Sequence, residues 1–202
     1  MNCLVIGNGE SRRDLNFSSA DFVTYGCNAI HRDCHIDHLI CVDSRMVVEA
    51  LENPKTNDSI IYTRKNWIDQ FKNFKNVRLV PELPYQGNQR PDDPWHWGSG
   101  PYAILLAAID HHEINIAGMD LYGLDGKVNN IYKDTPNYSK SEKPEVDPSY
   151  WIYQIGRVFE CYPDRQFRIF NNDDWNLPRE WNLSNVTKEN LYDLARSINI
   201  PV

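Results

Sequence analysis

Three observations predict an α/β fold, a single Rossmann-like domain whose mostly parallel sheet is flanked by helices. Short β-branched runs recur along the 202 residues, with helix-like stretches between them. Several runs are apolar at consecutive positions, as expected of strands covered on both faces. Five of the seven runs are followed by Gly, Asn or Asp, residues that suit the turn from a strand into the next element.

In chain order, the run at 3–6 (Cys-Leu-Val-Ile) passes straight into Gly7-Asn8-Gly9. Further strands are expected at 22–25, 39–42, 59–63, 77–80, 113–117 and 166–170, and helices at 45–51, 65–71, 101–109 and 148–161. Two segments break this rhythm. Residues 81–97 hold four prolines and two tryptophans and read as an ordered, irregular loop. Residues 121–148 are polar and poor in aliphatics, the composition of a small flexible lid inserted between sheet and helix. The tail from Asn185 fits a capped helix at about 187–199, with Thr187 ahead of Leu191, Leu194, Ala195 and Ile198 on one side. That helix reads as structural or as a contact in a homo-oligomer. No internal repeat divides the chain, so residues 1–202 read as one domain.

Charge narrows the function classes. With 21 Lys and Arg against 28 Asp and Glu, the formal net charge is −7 and no basic stripe interrupts it. A groove that neutralises a nucleic-acid backbone is therefore not expected. A site for one nucleotide is compatible with that balance, because a few backbone N–H groups hold a phosphate. No apolar run approaches the ~20 residues of a membrane span. The start lacks a basic region, and the five cysteines form no CxxC pair, so a cytoplasmic protein with reduced, partly buried thiols is expected.

Five stretches carry chemistry. Gly7-Asn8-Gly9-Glu10-Ser11 follows a strand, and its small residues let backbone N–H groups approach an anion. It lacks the third glycine of a dinucleotide fingerprint, where Arg12 stands, and the Gly-Lys-Ser/Thr of a P-loop. The plainer reading is a tight turn. Asn28 offers an amide at the next strand end, for a base or phosphate or for its own turn. Asp43 either caps the following helix or accepts from ribose hydroxyls. Gly98-Ser99-Gly100-Pro101 opens an apolar helix, with Ser99 or Gly100 as the cap and free N–H groups that attract phosphate. Gly118-Met119-Asp120-Leu121-Tyr122 delivers Asp120 and Tyr122 to the same edge, where Asp120 either meets ligand or orders the loop. In a parallel sheet such strand ends and helix starts converge on one crevice.

The order Val-Ile-Gly-Asn-Gly-x-Ser, Cys-Asn, Ser-Gly before an apolar helix, and Glu-Ile-x-x-x-Gly-x-Asp-x-Tyr resembles bacterial sialyltransferases of the Campylobacter type, glycosyltransferase family 42. Parts of it are shared by the wider sialyltransferase-like and pterin-diphosphokinase-like group. The resemblance covers roughly residues 3–170 and implies a GT-A-like variant of the fold. It also implies a metal-independent crevice for a cytidine-monophosphate sugar, with no cofactor beyond that donor. By the resemblance, Asn8, Gly9 and Ser11 match the nucleotide-binding turn and Asn28 the amide on the nucleotide. Ser99 and Gly100 match the pair beside ribose and phosphate, and Gly118, Asp120 and Leu121 the segment along the nucleotide. Tyr122 matches a tyrosine that stabilises the leaving phosphate, and Tyr132 a second one at longer spacing.

This chain departs from the family in three places. Residues 121–148 contain no histidine to take the acceptor's proton, His96 stands where an arginine is expected, and Asp43 replaces a second asparagine. The expected reaction is transfer of a sialic-acid-like sugar from a nucleotide donor to a hydroxyl acceptor through an oxocarbenium-like state. Tyr122, the Gly98–Gly100 helix start and the 7–11 turn would neutralise the departing phosphate. His96 is the first candidate for general base, with Asp134, Glu142, Glu145 and Asp147 in reserve. Between two tryptophans, His96 has packing as its plainer role. The rival readings are a nucleotide-dependent phosphotransferase or hydrolase, with Mg²⁺ on Asp43 and Asp120, and a non-catalytic nucleotide-binding module. His31, Cys34, His35, Asp37 and His38 lack the spacing of a zinc site and read as solvated loop residues.

Overall fold

The computed structural model describes residues 3–17 and 22–197. Eight strands form one sheet: β1 (Cys3–Ile6), β2 (Val23–Cys27), β3 (His38–Ile40), β4 (Ile60–Thr63), β5 (Val77–Leu79), β6 (Glu113–Ala117), β7 (Gln166–Asn171) and β8 (Val186–Asn190). Their order across the sheet is β5-β4-β3-β2-β1-β6-β7-β8, and every pairing is parallel. The chain therefore steps from β1 to β5 on one side, then crosses back to lay β6 against the other side of β1. The domain is α/β and Rossmann-like, with its switch of direction between β1 and β6.

Alternation along the strands divides the core into two layers. Val5, Tyr25, Ile40, Ile114, Ile116, Phe167 and Ile169 meet α3 (Ser99–Asp110) and α4 (Ser149–Cys161) on one face. Leu4, Ile6, Leu39, Ile61, Ala117 and Phe170 meet α1 (Ser44–Leu51) and α5 (Leu191–Ser197) on the other. The helix α3 crosses β1, β2, β3 and β6 and lies against α4. Its residues from Pro101 to Ala108 are all buried, which is why its sequence is apolar on every side rather than striped. By contrast, α1 buries only Met46, Val47 and Ala50 and is capped by the Asp43 side chain on Arg45 N–H, the capping reading of that aspartate.

Several expected elements shift. The helix at 65–71 shortens to α2 (Lys65–Ile68) followed by a 3₁₀ turn, and 81–97 carries two further 3₁₀ turns. The helix expected from Thr187 is instead the edge strand β8, whose polar Thr-Lys-Glu-Asn pairs with β7 and suits a solvent-facing edge. Only from Leu191 does the chain turn helical, and the expected continuation to 199 falls outside the described residues beyond Ser197. His31 and Cys34 are buried, and His38 stacks on Tyr25 with ring centroids 4.6 Å apart, so these three are packed rather than solvated, while His35 is exposed as expected. Among the described residues no three His, Cys, Asp or Glu side chains gather as a metal site, and no helix is long and apolar enough to cross a membrane. All five cysteines are free, and all but Cys161 are buried.

The turns leaving β1 and β6 extend the ladder past the strands. Gly7 N–H donates to Ala117 O and Gly9 N–H to Gly118 O, each at 2.8 Å. A Cβ on Gly7 would lie 2.2 Å from Gly118 O, and backbone cannot yield as a flexible side chain can. Gly7→Ala is therefore expected to lower stability by at least ~2 kcal/mol through overpacking, read as a lower urea midpoint at unchanged m.

Candidate functional site

At the carboxyl edge of the strands lies a cavity of about 290 Å³. It brings together nine of the residues singled out in the sequence: Asn8, Gly9, Asn28, Gly98, Ser99, Gly100, Gly118, Asp120 and Leu121. Cys27, Pro101 and Met119, from within the same motifs, and Val42 complete that edge, while Asn129, Asn130, Trp151 and Ile155 add walls that the motifs did not indicate. A smaller pocket of about 120 Å³ shares Leu121, Asn129, Asn130 and Trp151 with it and continues to Tyr122, Lys133, Tyr138 and Ser139.

Hydrogen bonds fix the polar groups of the cavity. The Ser99 hydroxyl donates to Asn28 Oδ1 at 3.0 Å and accepts from Val42 N–H at 3.2 Å, joining the ends of β2 and β3 to the start of α3. Gly98, not Ser99, is the N-cap of α3, and no side chain caps it. The first N–H groups of a 12-residue helix, those of Ser99 and Gly100, thus open on the cavity wall uncapped. Asn8 is nine-tenths buried. Its Nδ2 donates to Cys27 O at 3.1 Å and to the Tyr138 hydroxyl at 3.3 Å, while Oδ1 is buried without a partner among the described residues. Burial pushes the Cys27 thiol up to about 12, so it is a neutral part of the wall.

The wall's carboxylate, Asp120, faces inward to the fold. It accepts from Ser11 N–H and the Ser11 hydroxyl and from Asn171 Nδ2, which makes it the acceptor that orders the 10–12 turn. A Cβ on Gly9 would fall on its carboxyl group. Backbone strain gathers at the same rim: Asn28 has φ 52° and Leu121 φ 65°, with Gly118 at φ 72° between β6 and the 121–148 segment.

Five sequence-predicted residues lie off the cavity wall. Ser11 is held by Asp120, and Asp43 caps α1 and pairs with Arg45 at 2.7 Å. Tyr122 is on the neighbouring pocket, where burial, with the Glu180 charge adding, raises its pKa and keeps the phenol a proton donor. Tyr132 is turned into the opposite core layer, its hydroxyl donating to Asp33 at 2.6 Å and accepting from Arg12 at 2.9 Å. His96 ends a 3₁₀ turn that directs its ring to Arg90 Nε, 3.3 Å away, and to Tyr150. The reserve bases are off both pockets as well, three of them engaged with backbone: Asp134 accepts from Ser141 N–H, Glu145 from Gly123 N–H and Asp147 from Ser149 N–H.

The 121–148 segment is docked over the cavity by contacts with the β1 turn. Ile131 N–H donates to Asn8 O, Asn129 Oδ1 accepts from Glu10 N–H, and Lys133 pairs with Glu10 at 2.7 Å. Tyr138 accepts from Ala29 N–H at 3.2 Å besides Asn8, and Arg32 covers its ring and that of Tyr132.

Compared with protein-family models, curated proteins and solved structures, the chain matches none.

The Glu10 contact makes the docking pH-dependent. Burial opposes ionisation, but Lys133 and Arg13 outweigh it and hold the Glu10 carboxyl below the usual glutamate value. A depressed pKa stabilises the fold fully above the unfolded value, and that stabilisation is lost as the pH falls through the folded value. The stability gap between wild type and Glu10→Gln, measured by thermal unfolding, should therefore be present at neutral pH and close below the carboxylate range.

Proposed function

We propose that this cavity binds a nucleotide-activated sugar, with a cytidine monophosphate donor as the first candidate, and that the chain transfers the sugar to a hydroxyl acceptor without a metal. The observation that carries the reading is the meeting of Asn8, Asn28 and the uncapped Ser99 and Gly100 N–H groups in one hollow. Their chemistry divides as a mononucleotide requires. The helix start favours the phosphate. The Asn8 Oδ1, buried without a partner, asks for a donor such as a base amine or a ribose hydroxyl. Met119, Ile155 and the Trp151 ring supply apolar area for a base or ribose. The adjoining pocket leaves a place for the sugar and acceptor on the Tyr122 side.

In the transfer, the bond from the anomeric carbon to the phosphate oxygen breaks, and its electron pair leaves with the nucleotide. The acceptor oxygen forms the new bond to that carbon. Its proton passes to the released phosphate, whose second pKa is about 6. The Ser99 and Gly100 N–H groups and the Tyr122 hydroxyl meet the charge that develops on the leaving group. Supporting transfer without a metal over a Mg²⁺-dependent phosphotransferase, Asp120 is engaged by Ser11 and Asn171, and Asp43 by Arg45.

Calorimetry with cytidine monophosphate and its sugar conjugates tests the reading. Asn28→Ala should weaken binding about tenfold or more, through one lost ligand bond and a freed Ser99 hydroxyl, a loss of ~1.5–3 kcal/mol. Turnover should survive a chelator, and His96→Ala should stay within about twofold of wild type. Binding without turnover of any donor would make the domain a nucleotide-binding module. Turnover that requires Mg²⁺ would favour the phosphotransferase.

A further inference from the structure

Five arginines of the described chain are not exposed: Arg12, Arg32, Arg64, Arg157 and Arg165. Four of them pair with a carboxylate, on Asp33, Glu49, Glu160 and Asp164 respectively. Arg64 does not. Its Nη2 donates to Trp97 O at 2.5 Å and its guanidinium lies 5.1 Å from the Trp95 ring centroid, while Nε is buried with no partner among the described residues. The carboxylates that act on it through space are committed elsewhere: Asp43 binds Arg45, and Asp93 caps Trp95 N–H. A desolvated cation without a counter-charge is costly, and it is kept where an anion completes it.

The position of Arg64 points to which anion. It stands at the carboxyl end of β4, the same edge as the cavity. The carbonyl it holds belongs to Trp97, next to the N-cap Gly98 on the cavity wall. One turn further on, Trp67 donates its indole N–H to the carbonyl of Val42, another wall residue. The guanidinium thus flanks the uncapped start of α3 from the β4 side.

We propose that Arg64 is an anion-binding residue of this site, its guanidinium taking a phosphate oxygen of the ligand beside the Ser99 and Gly100 N–H groups. The nucleotide reading is needed only to say what that phosphate belongs to. A planar guanidinium with free donors suits a phosphate monoester, and it supplies the positive charge that the neutral amides of the cavity lack.

The test uses the full chain with inorganic phosphate, cytidine and cytidine monophosphate as probes, in Arg64→Gln, Arg64→Lys and the surface control Arg90→Gln. Phosphate should raise the melting temperature of wild type and of Arg90→Gln. Arg64→Gln should bind it at least tenfold more weakly, with Arg64→Lys between. Cytidine, which has no charge, should bind Arg64→Gln as it binds wild type, while cytidine monophosphate binds more weakly. A strut that merely held Trp97 would weaken both nucleoside and nucleotide alike, and that result overturns the proposal. So does phosphate binding that is equal in wild type and Arg64→Gln, or absent from wild type. Phosphate binding that depends on Arg64, with neither cytidine nor its monophosphate bound better than phosphate alone, upholds Arg64 and sinks the nucleotide reading.

Discussion

The contact of two backbones at Gly7 and Gly118 is the constraint on which the site rests. Two neighbouring parallel strands whose chains depart to opposite faces ordinarily leave a gap at the switch of direction. Here the ladder runs on, with Gly9 N–H bonded to Gly118 O, and there is no room for a Cβ on Gly7. The gap between β1 and β6 is thereby closed by main chain, and the hollow forms toward α3, between the ends of β1 and β2 and the helix start. Asp120 secures the arrangement by accepting from the 10–12 turn on one side and Asn171 on the other. Its carboxylate is an architectural acceptor as much as a wall residue.

Around that floor, strain and restraint are matched. Asn28 and Leu121 hold left-handed backbone, a conformation costing ~1–3 kcal/mol for residues other than glycine. Asn28 is held there by the Ser99 hydroxyl, which also secures Val42, so three separate chain segments share one oxygen. Leu121 opens the segment that closes over the cavity, which Ile131, Asn129 and Tyr138 bind back to the β1 turn. A ligand entering here meets groups already fixed in place, which lowers the entropy lost on binding.

The parallel strands and the edge at which chemistry gathers were legible in the sequence for a physical reason. Buried strands must be apolar at consecutive positions, and turns into helices need Gly, Asn or Ser, so both signals are local. The same locality explains the misses. The strand β8 owes its form to pairing with β7, and its Thr-Lys-Glu-Asn carries no apolar period. Trp151 reaches the cavity, and Tyr138 the pocket beside it, across 123 and 109 residues of separation from Asn28 and Ala29, distances no motif spans. His96 is a candidate base by residue type alone, whereas its place off the cavity wall is set by a 3₁₀ turn begun by Pro94, which sends the ring to Arg90. Arg64 carries no motif at all. Its distinction is an unmet charge, and the absence of a carboxylate partner is a property of the folded neighbourhood.

To receive an anion as proposed, a chain of net charge −7 must shield its own carboxylates from the site. Nearest to the hollow, Asp120 is surrounded by donors, and Asp43 is turned to Arg45. The other polar groups of the wall are amide, hydroxyl and peptide, with dipoles in place of charges. Dipoles at a helix start attract an anion by only a fraction of an elementary charge, so their selectivity between singly and doubly charged ligands is shallow. An unpaired guanidinium at the same rim steepens that dependence, because each added negative charge on the ligand meets a full positive one across short, partly desolvated distances. In the proposed site, neutral groups thus shape the hollow, and ligand charge is discriminated from a side chain just outside its wall.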